Sequence, residues 1–162
     1  MRTLLAPSPA LIEPPDVLLL ESADALAVEL AASFLAEESA RGGGAAARYL
    51  ESDPREYETW LGGALIGVRG DDGAPAAGGG FRRYDNTTAE LVQLWTRPEL
   101  RRRGLGRRVL RQLEPLARRA GYSRLYAVAE PGQEALRHIL EGCGYEPLGQ
   151  PELEYLGFVK AL

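Results

Sequence analysis

The stretch LWTRPELRRRGLGRRVL, Leu94 to Leu110, sets six arginines and two glycines between an apolar strand-like run and an apolar helix-like run. A chain carrying it must pass from extended backbone into a helix across a Gly-Leu-Gly step. Leu105, Val109, Leu113, Leu116 and Ala120 then form one helical stripe, and Gly121 stands where a C-cap glycine belongs. Pro115 inside the stripe is expected to kink the helix or remove one of its hydrogen bonds. The next strand-like run is SRLYAVA. Two strands joined by a helical crossover lie parallel, so Leu91 to Thr96 and Leu125 to Val128 should both end at one cleft.

The remaining chain supplies more strands and helices. Val17 to Leu20 reads as a strand, followed by a helix that Ser22 or Asp24 could cap and that presents Leu26, Leu30 and Phe34 on one face. SARGGGAAA breaks that helix, with Gly42 to Gly44 as a tolerant loop rather than a hinge, and AAARYLESD forms a short second helix. Three strand-like runs between Thr59 and Thr96, punctuated by Asp72-Gly73 and Asp85-Asn86, form an antiparallel meander. GQEALRHILEG is a helix and LEYLGFVKAL a final strand. The 162 residues, 45% hydrophobic, suffice for one core, so the whole of 1–162 is expected to be a single domain, with 1–15 extended or flexible.

Charge and cysteine usage narrow the function classes. The net charge of -4 and a pI near 5.2 speak against a general nucleic-acid binder, so the arginines must do something local. Cys143 is the single cysteine and His138 the single histidine, which leaves no intramolecular disulfide and no Cys/His metal cluster. No apolar run of signal-peptide or membrane-span length is visible, and a reducing, cytoplasmic setting is the simplest expectation.

The position of the arginines indicates their use. Arg101 to Gly106 lies directly after a strand and before a helix, where the first helical turn leaves N–H groups without partners and carries partial positive charge. Glycines at 104 and 106 would let a phosphate approach those amides, and the arginines add charge-assisted hydrogen bonds. Neither the P-loop pattern nor the six-residue dinucleotide glycine pattern is present. Further along, Arg108, Arg111, Arg118 and Arg119 read as a solvated helix face.

AELVQLWTRPELRRRGLGRRVLRQLEPLARRAGYSRLYAVA, followed by QEALRHILEGCGYEPLG, resembles the GNAT N-acetyltransferase family. Arg101-x-x-Gly104-x-Gly106 matches its signature, in a strand–signature–helix–strand–helix context that covers about residues 89 to 148, and Gly144-Tyr145 stands where the family usually has Gly-Phe. The resemblance implies an α/β (α+β) fold: a mixed, mostly antiparallel central sheet, splayed at a parallel strand pair and flanked by about four helices. It implies acetyl-CoA as co-substrate and no metal. The cofactor-binding residues would be Leu94, Trp95 and Thr96, through backbone groups along the pantetheine arm, with Arg101, Arg102, Arg103, Gly104, Leu105, Gly106, Arg107 and Gln133.

Relatives usually transfer acetyl directly to an amine, and an aliphatic amine, with a pKa of about 10, must first lose a proton. Glu90 matches a position where many relatives carry a glutamate acting as base; the alternative is an edge glutamate that caps or salt-bridges. Asp85 and Glu58 are weaker substitutes. The tyrosine that many relatives use as general acid is missing, with Ile139 and Leu140 in its place. Tyr126, Tyr145 and Cys143 read as core before they read as replacements, and Trp60, Trp95 and Tyr57 as core or pocket wall. The implied activity is N-acetylation of a small-molecule amine or a peptide N-terminus, without nucleic acid or membrane as partner, in a chain whose relatives often form homodimers. A catalytically degraded acyl-CoA-binding sensor is the alternative. Glu37, Glu38, Glu51, Asp53, Glu56 and Glu58 suggest a cationic acceptor.

Overall fold

The computed structural model describes residues 17–149 and 156–162. The expectation for residues 1–15 and the first residues of the expected final strand lie outside them. In chain order the elements are β1 (Val17–Leu19), α1 (Ala25–Arg41), α2 (Ala45–Glu51), β2 (Ala64–Arg69), β3 (Pro75–Arg83), β4 (Thr88–Thr96), α3 (Leu105–Arg119), β5 (Arg124–Ala129), α4 (Glu134–Gly142), β6 (Glu146–Leu148) and β7 (Leu156–Ala161). Short 3-10 turns occupy Pro54–Tyr57, Thr59–Leu61 and Pro98–Leu100. Among the described residues the strands form one sheet of order β1-β2-β3-β4-β5-β7-β6. Its neighbours are antiparallel except β4 and β5, as the helical crossover requires.

The parallel pair is short. Thr88 pairs with Arg124, Ala89 with Leu125 and Glu90 with Tyr126, and there the ladder stops although β4 continues to Thr96 and β5 to Ala129. On the other side of β4, Gly80 faces Val92 and Gly78 faces Trp95, so two residues of β4, Gln93 and Leu94, stand against Gly79 alone. Gln93 takes φ 55 at this bulge. An extra residue bends the bulged strand, and β4 parts from β5 as it bends.

Helices cover both faces. Leu26, Ala27 and Leu30 of α1 pack with Leu20, Leu65 and Tyr57 on one side. Val109, Leu110, Leu113 and Ala117 of α3 pack on the other with Ile66, Phe81, Leu125 and Phe158, joined by Leu140 of α4. The strand between them carries three consecutive glycines, Gly78 to Gly80, at its centre for a reason. A Cβ on Gly78 would stand 2.7 Å from Leu30 Cδ1 and 2.9 Å from Ile66 O, and one on Gly79 would stand 3.2 Å from Val109 Cγ1. The glycine triplet lets α1 and α3 seat directly on the sheet backbone.

The structure decides four expectations. Ser22 does not cap α1; its N–H and hydroxyl both donate to Glu58, and Asp24 is the N-cap residue. The buried stripe of α3 is Gly106, Val109, Leu110, Leu113 and Ala117, while Ala120 is exposed, because steps of four residues drift away from a 3.6-residue period. Helix α3 continues through Pro115, which lies on its exposed side and leaves one carbonyl without its N–H donor, the second of its two expected effects. Trp60 is 71% exposed and belongs to no core, but it lines a pocket with Leu19, Arg55 and Glu58, the other role expected of it.

Candidate active site

The opening between β4 and β5 is a cleft. Its walls come from β4 (Glu90 to Leu94), from Ala127 and Val128 of β5, from Phe34 of α1 and Tyr49 of α2, and from Leu136 of α4. The two parallel strands were expected to end at one cleft, and the structure places it at the end of their shared ladder.

Loop 101–106 follows β4. Gly104 is the N-cap of α3 with φ 81, a left-handed conformation that favours glycine, and nothing lies within 4 Å of the position a Cβ would take. Arg102 is also left-handed, at φ 63, and both Arg102 and Arg103 are exposed. Among the described residues no acceptor meets the N–H groups of Leu105, Gly106 and Arg107, which leaves the positive end of the helix available to an anion. Gly106 has a different role from the one its sequence position suggests. It is buried, and a Cβ there would meet Ile139 Cδ1 of α4 at 2.8 Å and Thr96 Oγ1 at 3.7 Å. Its missing side chain serves the contact of α3 with α4.

The side chains of the loop diverge. Arg101 Nε donates to the carbonyl of Thr96 at 2.9 Å, and its Nη2 lies 2.5 Å from the carboxylate of Glu37 on α1. That carboxylate also accepts from the indole of Trp95 at 2.7 Å. The Arg107 guanidinium lies where a Cβ on Gly142 would come within 2.8 Å of its Nη2, against the end of α4. Leu94 and Leu105 pack against the α3 core, and Leu94 also lines the cleft.

Glu90 faces the cleft and is salt-bridged at once. Arg82, its direct partner across the β3–β4 ladder, donates from Nε at 3.2 Å and from Nη1 to Glu56 at 3.1 Å. The two readings of Glu90, a catalytic carboxylate and an ion-paired strand residue, therefore describe one side chain. Asp85 accepts from the backbone N–H groups of Thr87 and Thr88 in the β3–β4 turn, and Glu58 accepts from Ser22, so neither lines the cleft. The suggested acids are engaged elsewhere: Glu37 as above, Glu38 by Arg41, Asp53 by Arg55 and Glu56 by Arg82. Glu51 lies on an exposed surface.

A second polar cluster closes the side of the cleft. Glu130, at the end of β5 and 2% exposed in its side chain, pairs with Arg41 at 2.9 Å and Arg48 at 2.6 Å. Burial pushes the Glu130 carboxyl up, but the two guanidiniums outweigh it and hold it below the usual range. Gln133, lining the cleft at the N-cap of α4, accepts from the Glu130 N–H at 2.9 Å and donates to Glu38 at 3.3 Å. The junction of α1 and α2 is thereby fixed to the turn between β5 and α4.

The phenols divide between cleft and core. Tyr145 is buried on the α3 side, bonded to Glu114 at 3.3 Å beside Lys160, and burial drives its hydroxyl far above the ordinary range. Cys143 packs against the same core. Burial also raises Tyr126, with Tyr84 and Glu90 adding to it. Tyr49 and Tyr57 stack with ring centroids 6.4 Å apart and both line the cleft. Burial raises Tyr49, the neighbouring Tyr57 raises it further, and a hydrogen bond from Gln93 partly offsets both. His138 is exposed. Sequence reading missed Arg48, Tyr49, Arg82 and Gln93. Only Arg82 had a signal: once the turn after Tyr84 is located, antiparallel counting sets it opposite Glu90.

The chain is thus a mixed sheet opened at its one parallel pair, with an arginine-glycine loop leading from β4 into the N-terminus of α3. Residues 29–145 match the family model of the acetyltransferase (GNAT) family, and the chain belongs to that family. No curated protein matches it. Solved structures share the fold. A GNAT acetyltransferase from Staphylococcus aureus superposes with TM-score 0.71 at 11% identity, over 90% of this chain and 98% of that one. An acetyltransferase from Streptococcus agalactiae gives 0.65 at 16%, over 91% and 99%. A phosphinothricin acetyltransferase from Sinorhizobium meliloti, solved in complex with AcCoA, gives 0.64 at 18%, over 91% and 89%. Among the described residues no helix is long and apolar enough to cross a membrane, and no group of three or more His, Cys, Asp or Glu residues could hold a metal ion.

Proposed function

We propose that this chain is an acetyl-CoA-dependent N-acetyltransferase acting on a primary amine of a small molecule or a peptide N-terminus. The observation that carries the reading is Glu90, a carboxylate facing the cleft at the residue where β4 and β5 part. Acetyl-CoA fits the residues present. Its phosphates match the free N–H groups of Leu105, Gly106 and Arg107 beside Arg102 and Arg103, and its amide-bearing arm matches the β4 backbone from Leu94 to Thr96, which has no partner on β5. When bound it supplies the activated acyl group.

The protein's own groups do the rest. Glu90 accepts a proton from the acceptor ammonium, whose pKa of about 10 keeps it mostly charged at neutral pH. Arg82 holds the Glu90 carboxylate in place from the adjacent strand. A backbone N–H at the β4 bulge would polarise the carbonyl under attack. Ile139 is packed against Gly106 and Leu140 is fully buried, so the departing thiolate takes its proton from another source.

Calorimetric titration with acetyl-CoA, followed by an amine panel, tests this. Native protein should bind in the micromolar range and acetylate an amine, and Glu90→Gln should lower kcat at neutral pH by about 10²- to 10⁴-fold while still binding acetyl-CoA. The absent tyrosine favours a second reading, a degraded acyl-CoA sensor. It predicts binding with no turnover for Glu90→Gln to abolish.

A further inference from the structure

The cleft wall carries three charged side chains, Arg48, Arg82 and Glu90, two cations against one anion. Arg82 is committed to Glu90 and Glu56. Arg48 is not: its Nη1 donates to Glu130 at 2.6 Å, while its Nε and Nη2 have no partner among the described residues. Its side chain is 42% exposed and enters the wall from α2, across from β4. Arg41 also pairs with Glu130, so Glu130 does not consume the whole of Arg48. Around the two cations the wall is apolar and aromatic, from Phe34, Tyr49, Tyr57, Val92 and Leu136. A guanidinium with free donors in such a setting selects a carboxylate, and it opposes a second positive charge on the acceptor.

From this juxtaposition we infer that the acceptor is a zwitterionic amino acid with an apolar or aromatic side chain, its carboxylate received by Arg48 and its amine presented to Glu90. This rests on the acetyltransferase reading and decides between its two acceptor classes, since a peptide N-terminus carries an amide where the amino acid carries its carboxylate. The transfer balances within the site. The ammonium gives one proton to Glu90, the nitrogen bonds the acyl carbon as the carbon–sulfur bond breaks, and the second nitrogen proton goes to the departing thiolate. The products are an N-acetylamino acid and a thiol.

The test measures kcat/KM with leucine, leucinamide and spermidine for native protein, Arg48→Met and Arg48→Lys, each checked for native circular dichroism. Native protein should prefer leucine over leucinamide by about 10- to 100-fold. Arg48→Met should erase that preference and Arg48→Lys retain part of it. Leucinamide or spermidine matching leucine would overturn the inference, as would an intact preference in Arg48→Met. If no amine is acetylated, the acetyltransferase reading fails by itself. Calorimetry with N-acetylleucine and N-acetylleucinamide then decides the carboxylate site: binding of the acid alone, lost in Arg48→Met, upholds it, and equal or absent binding of both overturns it.

Discussion

Arg101 and Glu37 meet at 2.5 Å although 64 positions separate them, and through this contact the signature loop is fastened to the C-terminal half of α1. Trp95 donates to the same carboxylate from β4. Glu37→Gln keeps the shape but removes the charge that both donors address. Because both partners of the ion pair are over a third exposed, we expect a loss of only about 0.5–1.5 kcal/mol in urea denaturation. A shift in Trp95 emission should accompany it, and an unchanged spectrum would dissociate the indole from this contact.

Glu130 sets an acid limb. Its folded-state pKa lies below the ordinary value of 4.5, so its contribution is complete above that pH and disappears as the pH falls through the lower, folded value. Glu130→Gln should lower stability at pH 7 by about 1–3 kcal/mol and flatten the loss between pH 5 and pH 3, as read from denaturation midpoints across pH.

Gly104→Ala isolates backbone conformation, since open space surrounds the new Cβ and only φ 81 resists it. The expected cost is about 1–2 kcal/mol, with an unchanged denaturant slope. Acetyl-CoA affinity should fall with it, because the same backbone turn presents the first amides of α3.

Gly78→Ala probes the close approach of α1 to the sheet. The new Cβ would press on Leu30 Cδ1, which can move, and on Ile66 O, which belongs to the ladder. A loss of about 1–3 kcal/mol in thermal or urea unfolding is expected; no loss would mean that β3 shifts freely between its two helices.

What could be read from the sequence was local. The Gly104-to-Ala120 helix, the turns at Asp72-Gly73 and Asp85-Asn86, and the crossover joining β4 to β5 each depend on periodicity or on residues close in the chain. The bulge at Gln93 left no trace, because one extra residue in a strand alters no hydrophobic pattern that a single chain displays. Strand β6 is three exposed residues with a proline, too short for an alternation to register. The charge network was equally hidden. Arg41 and Arg48 reach Glu130 across 89 and 82 positions, and nothing in an acidic, arginine-rich sequence says which of its carboxylates a guanidinium will find. The acids around α2 looked like a lure for cations until the structure showed most of them engaged by arginines.

The early end of the β4–β5 ladder has one more consequence. A strand with unspent backbone hydrogen-bonding groups ordinarily recruits another polypeptide, and proteins guard such edges against aggregation. Here the edges of β4 from Leu91 to Leu94 and of β5 at Ala127 and Val128, left unpaired with each other, both line the cleft, with Phe34, Tyr49 and Leu136 standing around them. The fold thus keeps a strand's capacity for recognition while denying it to passing chains.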